Sequence, residues 1–217
     1  TLAQKQRAYF DTLGLHVRIV ESAETFDSPL FVANELFDAM PCDLLRHESG
    51  AYTFGMFENQ KFAFVPLSAL SGEQADYARR LVEVAQRFCV VCGEISLAYL
   101  PFLEQLLTQQ EHWAFLTFDY GERGFSNAFS LRFFKESNIF GLDDFMHNPH
   151  AFLGNADITY DVAWEYIQWL FERFGGTCVL YGRQNSILLR LGLVEVFERI
   201  VAGFSPENGN IFIMPPR

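Results

Sequence analysis

The sequence has little positive charge and no long apolar run, and these shortages narrow the classes of function open to it. Its 217 residues carry 16 lysines and arginines against 27 aspartates and glutamates, a formal net charge of −11. Because nucleic-acid binding needs clustered positive charge, we expect no nucleic-acid partner. No apolar run approaches the roughly 18–20 residues that cross a bilayer, so we also expect no membrane span.

Cysteine is scarce as well, with four residues in the chain. Cys89 and Cys92 have the CxxC spacing that is typical of a redox pair or of half a zinc site. A structural zinc site needs two further ligands at matching spacing, and the sequence has no second pair. We therefore predict no metal site, and we interpret the cysteines as buried, reduced thiols of a bacterial cytoplasmic protein.

The composition favours one large core that is rich in aromatic side chains. Half of the residues are apolar and 16% are aromatic, with 24 phenylalanines. A chain of this length can bury one substantial core, so we interpret most phenylalanines as packing residues. Apolar runs typical of strands alternate with stretches of helical periodicity, and this alternation predicts an α/β fold.

We predict three segments along the chain. They are the remaining first part of a Rossmann-like domain over 1–41, a β-hairpin and helical insertion over 42–112, and the second part of the domain over 113–217, with a substrate-side loop over 121–160. The periodicity predicts helices over 2–13, 73–91, 94–110, 162–174 and 184–191. It predicts strands over 15–20, 30–34, 42–47, 51–57, 61–65, 113–118, 129–134, 177–181 and 211–214.

The polar group that follows the buried strand over 30–34 is the first candidate site. The strand ends in Asn34 and Glu35, and Asp38 follows three residues later. In open α/β sheets, ligands bind beyond the carboxyl ends of the strands, so these side chains are expected to face a shared pocket. Alternatively, they cap a helix that begins near Leu36, because asparagine and aspartate favour helix starts.

A second strand ends in a similar way at Asp119 and Tyr120. If its carboxyl end lies beside that of the first strand, both groups border the same cleft. A buried acid here has another interpretation, in which Asp119 pairs with Arg123 or Arg132. The sequence leaves both interpretations open.

A third polar cluster consists of Asp157, Thr159 and Asp161 and precedes the predicted helix over 162–174. Asp161 is a credible N-cap for that helix.

Five segments, in this order along the chain, are similar to motifs of one known family. They are Leu30 to Pro41, Gly93 to Ser96 (expected to open a helix), Phe118 to Gly121 with Arg123 and Gly124, Ala156 to Val162, and Gln184 with Leu188 to Gly192. Together they resemble the MidA-type S-adenosylmethionine-dependent methyltransferases. That family includes the mitochondrial complex I assembly factor, which methylates an arginine of a respiratory subunit.

The resemblance implies a Rossmann-like class I methyltransferase sheet, with S-adenosyl-L-methionine as the cofactor. It implies a protein substrate, with an arginine side chain as the acceptor and a respiratory-complex subunit as the candidate protein. Carboxylates can grip a guanidinium in a bidentate fork. By analogy with protein arginine methyltransferases, we assign catalysis to Glu35 and Asp38. The remaining assignments are Asn34 and Asp119 to the cofactor, and Tyr120, Asp157, Thr159 and Gln184 to the substrate.

One family motif is missing from the sequence. The glycine-rich strand-to-helix turn that cradles the cofactor does not occur, nor does the acidic strand end that follows it, so we expect an N-terminally truncated sheet. Two alternatives therefore stand beside the arginine methyltransferase: an assembly protein that keeps the fold without catalysis, and a methyltransferase for small molecules. A homodimer is the candidate assembly.

Overall fold

The computed structural model describes most of the chain, namely residues 2–14, 25–58, 61–190 and 192–195. The predicted strands over 15–20 and 211–214 lie outside these residues. Two compact units divide the chain, Thr1–Gly176 and Thr177–Arg217. None of the described helices combines the length and the apolar character needed to cross a bilayer.

The mixture of helices and strands confirms the α/β class. The helices are α1 Leu2–Thr12, α2 Gly72–Arg87, α3 Tyr99–Leu107, α4 Leu142–His147, α5 Trp164–Glu172 and α6 Gln184–Arg190. The strands are β1 Leu30–Asn34, β2 Asp43–Glu48, β3 Ala51–Glu58, β4 Lys61–Pro66, β5 Cys92–Ile95, β6 Ala114–Phe118, β7 Gly121–Glu122, β8 Arg132–Lys135, β9 Asn138–Phe140, β10 Asp157–Thr159 and β11 Val162–Ala163. Single 3-10 turns occur at Leu67–Ala69 and Pro149–Ala151.

The two strands that carry the candidate site lie side by side. β1 pairs with β6 in parallel, and Asn34 lies opposite Phe118 at the carboxyl ends. The prediction that β1 is buried is wrong for one face, where Leu30 and Val32 are 63% and 64% exposed, and the other face is half-buried. Within the described residues this parallel sheet has two strands. The larger Rossmann-like sheet and the three predicted segments therefore remain predictions.

The predicted hairpin is confirmed. β2 and β3 pair in antiparallel fashion, with Glu48 opposite Ala51. Ser49 and Gly50 form the two-residue turn, and both have a positive φ, 51° and 82°. This is the backbone conformation of a type I′ turn, whose twist matches that of the strands it joins.

The segment Gly93 to Ser96 corrects a prediction. It does not open a helix, because β5 pairs with β2 and completes a four-stranded antiparallel sheet in the order β4-β3-β2-β5. The helix expected within 94–110 begins only at Tyr99. This short segment is therefore a sheet strand, and its residues Gly93, Glu94 and Ile95 are all buried.

Three predictions in the second half of the chain need correction. The helix expected over 162–174 begins at Trp164, because Val162 and Ala163 pair as β11 with β7. The strand expected over 129–134 begins at Arg132 and pairs with both β9 and β10. No strand forms over 177–181, which the structure describes as irregular chain.

Phenylalanine packing holds the first unit together, as the composition indicates. Phe37 is fully buried directly after β1. Its ring lies 5.3 Å from that of Tyr99 and 6.1 Å from that of Phe115, centroid to centroid, and it also contacts Phe102 and Phe171. This one side chain therefore fixes the turn after β1 to α3, β6 and α5.

Candidate functional site

The candidate site forms where β1 and β6 end together. The backbone N–H of Glu35 donates a 2.8 Å hydrogen bond to the carbonyl of Phe118, one step beyond the regular ladder. Asn34 and Glu35 therefore leave the sheet beside Asp119 and Tyr120. The structure thus brings together the polar ends of both strands at one edge. This shared edge is what parallel pairing of the two strands requires.

Asp119 holds the turn that follows β1. Its Oδ2 accepts hydrogen bonds from the backbone N–H groups of Leu36, Phe37 and Asp38, at 3.1, 2.8 and 3.2 Å. Its Oδ1 accepts the N–H of Tyr120 at 2.9 Å. Both oxygens are therefore engaged within the turn, so what the structure shows for Asp119 is a positioning role. Its assignment to the cofactor remains a prediction.

These hydrogen bonds contradict two interpretations made from the sequence. No helix begins near Leu36, so the polar side chains after β1 do not cap one. Asp119 does not pair with Arg123 or Arg132 either, because backbone amides occupy its oxygens and Arg132 pairs elsewhere. Desolvation by burial raises the pKa of Asp119, and the backbone hydrogen bonds partly offset that rise.

Asp38 is a buried carboxylate with an unused oxygen. The residue is 3% exposed, and its Oδ1 has no hydrogen-bond partner. Burial raises the pKa of Asp38 to about 6, and the negative charges of Asp119 and Glu35 add to the rise. The nearby guanidinium of Arg132 lowers that pKa. A buried acceptor without a partner is rare in folded proteins and is consistent with a group that meets a ligand.

Glu35 lies on the surface above Asp38. Its φ of +50° is in the left-handed region, which non-glycine residues seldom adopt and which often marks a functional turn. The hydroxyl of Tyr120 donates to its Oε1 at 3.2 Å, and this hydrogen bond raises the pKa of Tyr120. Both side chains are exposed, so a ligand can reach them.

Arg132 and Asp161 border the site and were not assigned to it from the sequence. They form an ion pair with an N–O distance of 2.8 Å. The guanidinium carbon of Arg132 lies 5.8 Å from the centroid of the Tyr120 ring. Asp161 is therefore not the N-cap of α5, a position that belongs to Ala163. This ion pair could not be predicted from neighbouring residues, because Arg132 and Asp161 are distant in sequence. Pairing of β10 with β8 brings them together.

Two buried tyrosines, Tyr99 and Tyr160, hydrogen-bond to the turn that follows β1. The hydroxyl of Tyr99 donates to the carbonyl of Phe37 at 3.0 Å and lies 2.7 Å from the hydroxyl of Tyr160. Because the Tyr99 proton points to the carbonyl, Tyr160 supplies the proton of the second bond. The backbone N–H of Tyr160 also donates to the carbonyl of Asp38 at 3.2 Å. Burial raises the pKa of both tyrosines, which therefore stay neutral.

Replacing Tyr99 with phenylalanine tests this support. The change removes one hydroxyl, so the Phe37 carbonyl loses a hydrogen-bond donor and the Tyr160 hydroxyl loses its acceptor. We expect the free energy of unfolding to fall by about 1–2 kcal/mol, as for other buried hydrogen bonds. Urea denaturation measures the change, and Tyr9→Phe on an exposed tyrosine is the matched control. Equal stability of the two variants would contradict the role given to Tyr99.

The remaining predicted residues are Thr159, Asp157 and Gln184. Thr159 pairs with Arg132 in the ladder between β10 and β8, next to the site. Asp157 lies two residues further along the same strand, opposite Phe134, and is exposed. Gln184 begins α6 in the second compact unit. The substrate roles of all three remain predictions.

The site is open to solvent. A hollow of about 10 Å³, with room for a single water molecule, lies beside Asp161 and is lined by neither Glu35 nor Asp38. A larger hollow of about 300 Å³ lies between the β2–β3 turn and α2, and these two acids do not line it either. Within the described residues, no three potential metal ligands lie together.

Comparisons with known proteins identify the family of this chain. Residues 1–181 match the sequence profile of a family described as "Putative S-adenosyl-L-methionine-dependent methyltransferase". Among curated proteins, none matches the chain. The fold matches a solved structure from Burkholderia thailandensis, a superfamily member and candidate methyl transferase bound to S-adenosyl-homocysteine. The TM-score is 0.68 at 20% identity, and the match covers 95% of this chain and 53% of that one. This chain therefore spans about half the length of the structure it matches.

Proposed function

This chain belongs to that family of S-adenosyl-L-methionine-dependent methyltransferases, and we propose that its β1–β6 edge orients a protein arginine side chain for methylation. The cofactor of the family is S-adenosyl-L-methionine. The finer assignment to the MidA type rests on the five motif segments. The proposed setting is the bacterial cytoplasm, where free thiols such as those of the four cysteines persist.

The observation that carries the proposal is the group of carboxylates at this edge. Glu35 presents an exposed carboxylate, and Asp38 has a buried oxygen that no protein group satisfies. A guanidinium offers several N–H donors in a fixed planar fork, and it suits two acceptors at one site. In the described part of the chain, Arg132 is the cation beside these two acids, and its charge is already paired with Asp161. The edge therefore favours a cationic substrate.

Methyl transfer from a sulfonium needs alignment more than covalent help. S-adenosyl-L-methionine, when bound, would supply the methyl group, and its methyl–sulfur bond would break as the bond to the acceptor nitrogen forms. The acceptor would then carry one proton too many, and we assign its removal to Asp38. With a pKa of about 6, Asp38 is ionised at neutral pH and is a stronger base than an ordinary aspartate. Asn34, exposed at the end of β1, is the residue proposed to meet the cofactor.

A second function is supported by a separate observation. Leu30 and Val32 expose apolar side chains on β1, as a protein that binds partners would. This favours an assembly protein that keeps the fold without catalysis, with a homodimer or a respiratory-complex subunit as candidate partners. A methyltransferase for small molecules would need a narrow closed pocket at Glu35, and the two hollows described above lie elsewhere.

Replacing Glu35 with glutamine separates these functions. Calorimetry with S-adenosyl-L-methionine measures cofactor binding, and transfer of a labelled methyl group to an arginine-containing peptide measures the reaction. We expect the rate to fall by about tenfold to a hundredfold, because one carboxylate of the fork loses its charge. Cofactor affinity should change by less than about twofold, since Glu35 is assigned to the substrate.

The matched control is Glu58→Gln, which removes a charge that is also exposed, at the end of β3. That variant should keep the full rate. Absence of any binding heat with S-adenosyl-L-methionine would remove the basis of the proposed reaction. Binding of the cofactor together with an unchanged rate in Glu35→Gln would instead exclude this carboxylate from substrate recognition.

A further inference from the structure

Glu94 is a buried carboxylate that the proposed reaction does not use. It lies on β5 and is 6% exposed. Its Oε1 accepts hydrogen bonds from the backbone N–H groups of Ser130 and Leu131, at 2.8 and 2.9 Å, and its Oε2 accepts the hydroxyl of Ser130 at 3.2 Å. Burial raises the pKa of Glu94, and these hydrogen bonds partly offset the rise. Because hydrogen bonds to a carboxylate are stronger than neutral ones, Glu94 fixes the chain just before β8.

The hydroxyl of Ser130 connects Glu94 to Asp161. It donates its proton to Glu94, and its oxygen accepts the backbone N–H of Asp161 at 2.8 Å. In the ladder between β10 and β8, Thr159 lies opposite Arg132, so the same register continued by two residues places Asp161 opposite Ser130. A hydroxyl that donates to one group and accepts from another has a defined orientation. Ser130 therefore supplies an acceptor to Asp161 just beyond the paired strands.

The segment over 160–162 depends on this acceptor. Its three backbone N–H groups donate, in chain order, to the Asp38 carbonyl, the Ser130 hydroxyl and the Tyr120 carbonyl, at 3.2, 2.8 and 2.9 Å. Two of these acceptors belong to the backbone of the candidate site. The middle one is a side chain whose orientation depends on Glu94. It is therefore the contact that a single substitution can remove.

Asp161 orients Arg132 at the edge of the site. Their ion pair joins Nη2 of Arg132 to Oδ1 of Asp161 at 2.8 Å. Among the described residues, the buried Nε of Arg132 has no hydrogen-bond partner, so the ion pair is the polar contact that directs this guanidinium. Three charged groups act on Asp38: Asp119 and Glu35 raise its pKa, and Arg132 lowers it. The position of Asp161 therefore decides how closely a positive charge lies to Asp38.

We propose that Glu94 is a positioning residue, which acts through Ser130 to fix the ion pair that borders the site. We call the series of contacts from Glu94 through Ser130 and Asp161 to Arg132 the relay. A purely structural Glu94 would satisfy the N–H groups before β8 and would have no effect at Asp38. The relay itself stands without methyl transfer, and its effect on the reaction rests on the proposed function.

Replacing Ser130 with alanine tests the relay, because it removes the hydroxyl and keeps the two backbone N–H groups that bind Glu94. NMR titration of the Asp38 carboxyl carbon measures the effect. Arg132→Gln sets the scale: loss of a nearby opposite charge should raise the pKa of Asp38 by about 1 pH unit. Ser130→Ala should give about half that rise, because a loosened ion pair lets the partly exposed guanidinium spend more time in solvent.

Two further serine variants separate the relay from a general loss of stability. Ser130→Thr keeps the hydroxyl and should restore the wild-type pKa of Asp38. Ser126→Ala removes a hydroxyl that donates to the Ala128 carbonyl at 2.9 Å within the same loop, and it should leave that pKa unchanged. A wild-type or lower Asp38 pKa in Ser130→Ala would overturn the proposal, as would a rise that Ser130→Thr does not reverse.

Glu94→Gln tests the first contact of the relay. Glutamine can keep one acceptor oxygen for the two backbone N–H groups, and its amide nitrogen cannot accept the Ser130 proton. We expect a rise in the Asp38 pKa similar to that of Ser130→Ala. A wild-type pKa in Glu94→Gln together with a rise in Ser130→Ala would show that Ser130 acts without Glu94, and the role given to Glu94 would be wrong.

The pH dependence of methyl transfer gives a separate measurement. Because ionised Asp38 is the proposed base, the acid limb of the pH–rate profile in Ser130→Ala should move to higher pH by the same amount as the Asp38 pKa. The NMR titrations need neither cofactor nor substrate. Absence of methyl transfer in every variant and in the wild type would therefore reject the proposed reaction, while the titrations alone decide the relay.

Discussion

Replacing Asp38 with asparagine is expected to stabilise the protein at pH 7 by about 2 kcal/mol while impairing methyl transfer. Burial and two neighbouring carboxylates raise the pKa of Asp38 from 3.8 to about 6. Each unit of difference corresponds to about 1.36 kcal/mol, so the ionised side chain destabilises the fold by about 3 kcal/mol. Asparagine carries no charge, and the desolvation of its amide makes the expected gain somewhat smaller.

The size of this effect depends on pH. Between pH 3.8 and about 6, the folded state binds more protons at Asp38 than the unfolded state does. The free energy of unfolding therefore falls as pH rises through this window. Below it the wild-type protein and Asp38→Asn should have similar stabilities, and above it the variant should be the more stable. Urea denaturation at several values between pH 4 and pH 7 measures the difference, in which acids that do not interact with Asp38 cancel.

Asp157→Asn is the control, because Asp157 is an exposed aspartate on β10. At pH 7 its free energy of unfolding should stay within about 0.5 kcal/mol of the wild type, as for other surface substitutions. If Asp38→Asn were less stable than the wild type by the same amount at every pH, Asp38 would be an ordinary structural acceptor. The loss of reaction rate in Asp38→Asn would then reflect damage to the turn.

The sequence allowed the strands of the site to be predicted because their signals are local. The apolar run before Asn34 and the run before Asp119 both end where the structure ends β1 and β6. The hairpin at Ser49 and Gly50 is also local, since a two-residue turn separates two strand patterns. These signals need only neighbouring residues.

The role of Asp119 could not be predicted in the same way. Its partners Leu36, Phe37 and Asp38 lie 83, 82 and 81 residues earlier in the chain. The helix-cap hypothesis considered only side chains next to the turn, and the acid that holds the turn comes from the neighbouring strand. The ion pair of Arg132 and Asp161 was missed for the same reason.

Two further predictions were wrong: the burial of β1 on both faces and the strand over 177–181. A run such as Leu30 to Asn34 predicts burial on both faces, and burial depends on which segments pack against the strand. The strand expected over 177–181 rested on a few β-branched and aromatic residues, and the structure shows no ladder partner for it in the described chain. In a short apolar run that has no ladder partner, tertiary contacts decide the structure and override the strand propensity of its residues.

Replacing Asp119 with alanine is expected to destabilise the first unit by about 3 kcal/mol or more. The change removes the acceptor of three backbone N–H groups at once, and no other acceptor is shown for them. Hydrogen bonds to a charged group contribute about 1.5–3 kcal/mol each, and partial exposure of the turn reduces their sum. The turn would also lose the geometry that places Glu35 above Asp38, so the reaction rate should fall with stability.

Two measurements separate a positioning role from simple loss of stability. Removing the charge of Asp119 should lower the pKa of Asp38, because Asp119 is the larger of the two carboxylate contributions that raise it. Asp119→Asn keeps one acceptor oxygen and should cost about half as much stability as Asp119→Ala. NMR titration of the Asp38 carboxyl carbon in Asp119→Asn checks the shift. A loss of less than about 1 kcal/mol in Asp119→Ala would show that the turn holds its shape without this acid. An unchanged Asp38 pKa would show that the two strand ends are not coupled through it.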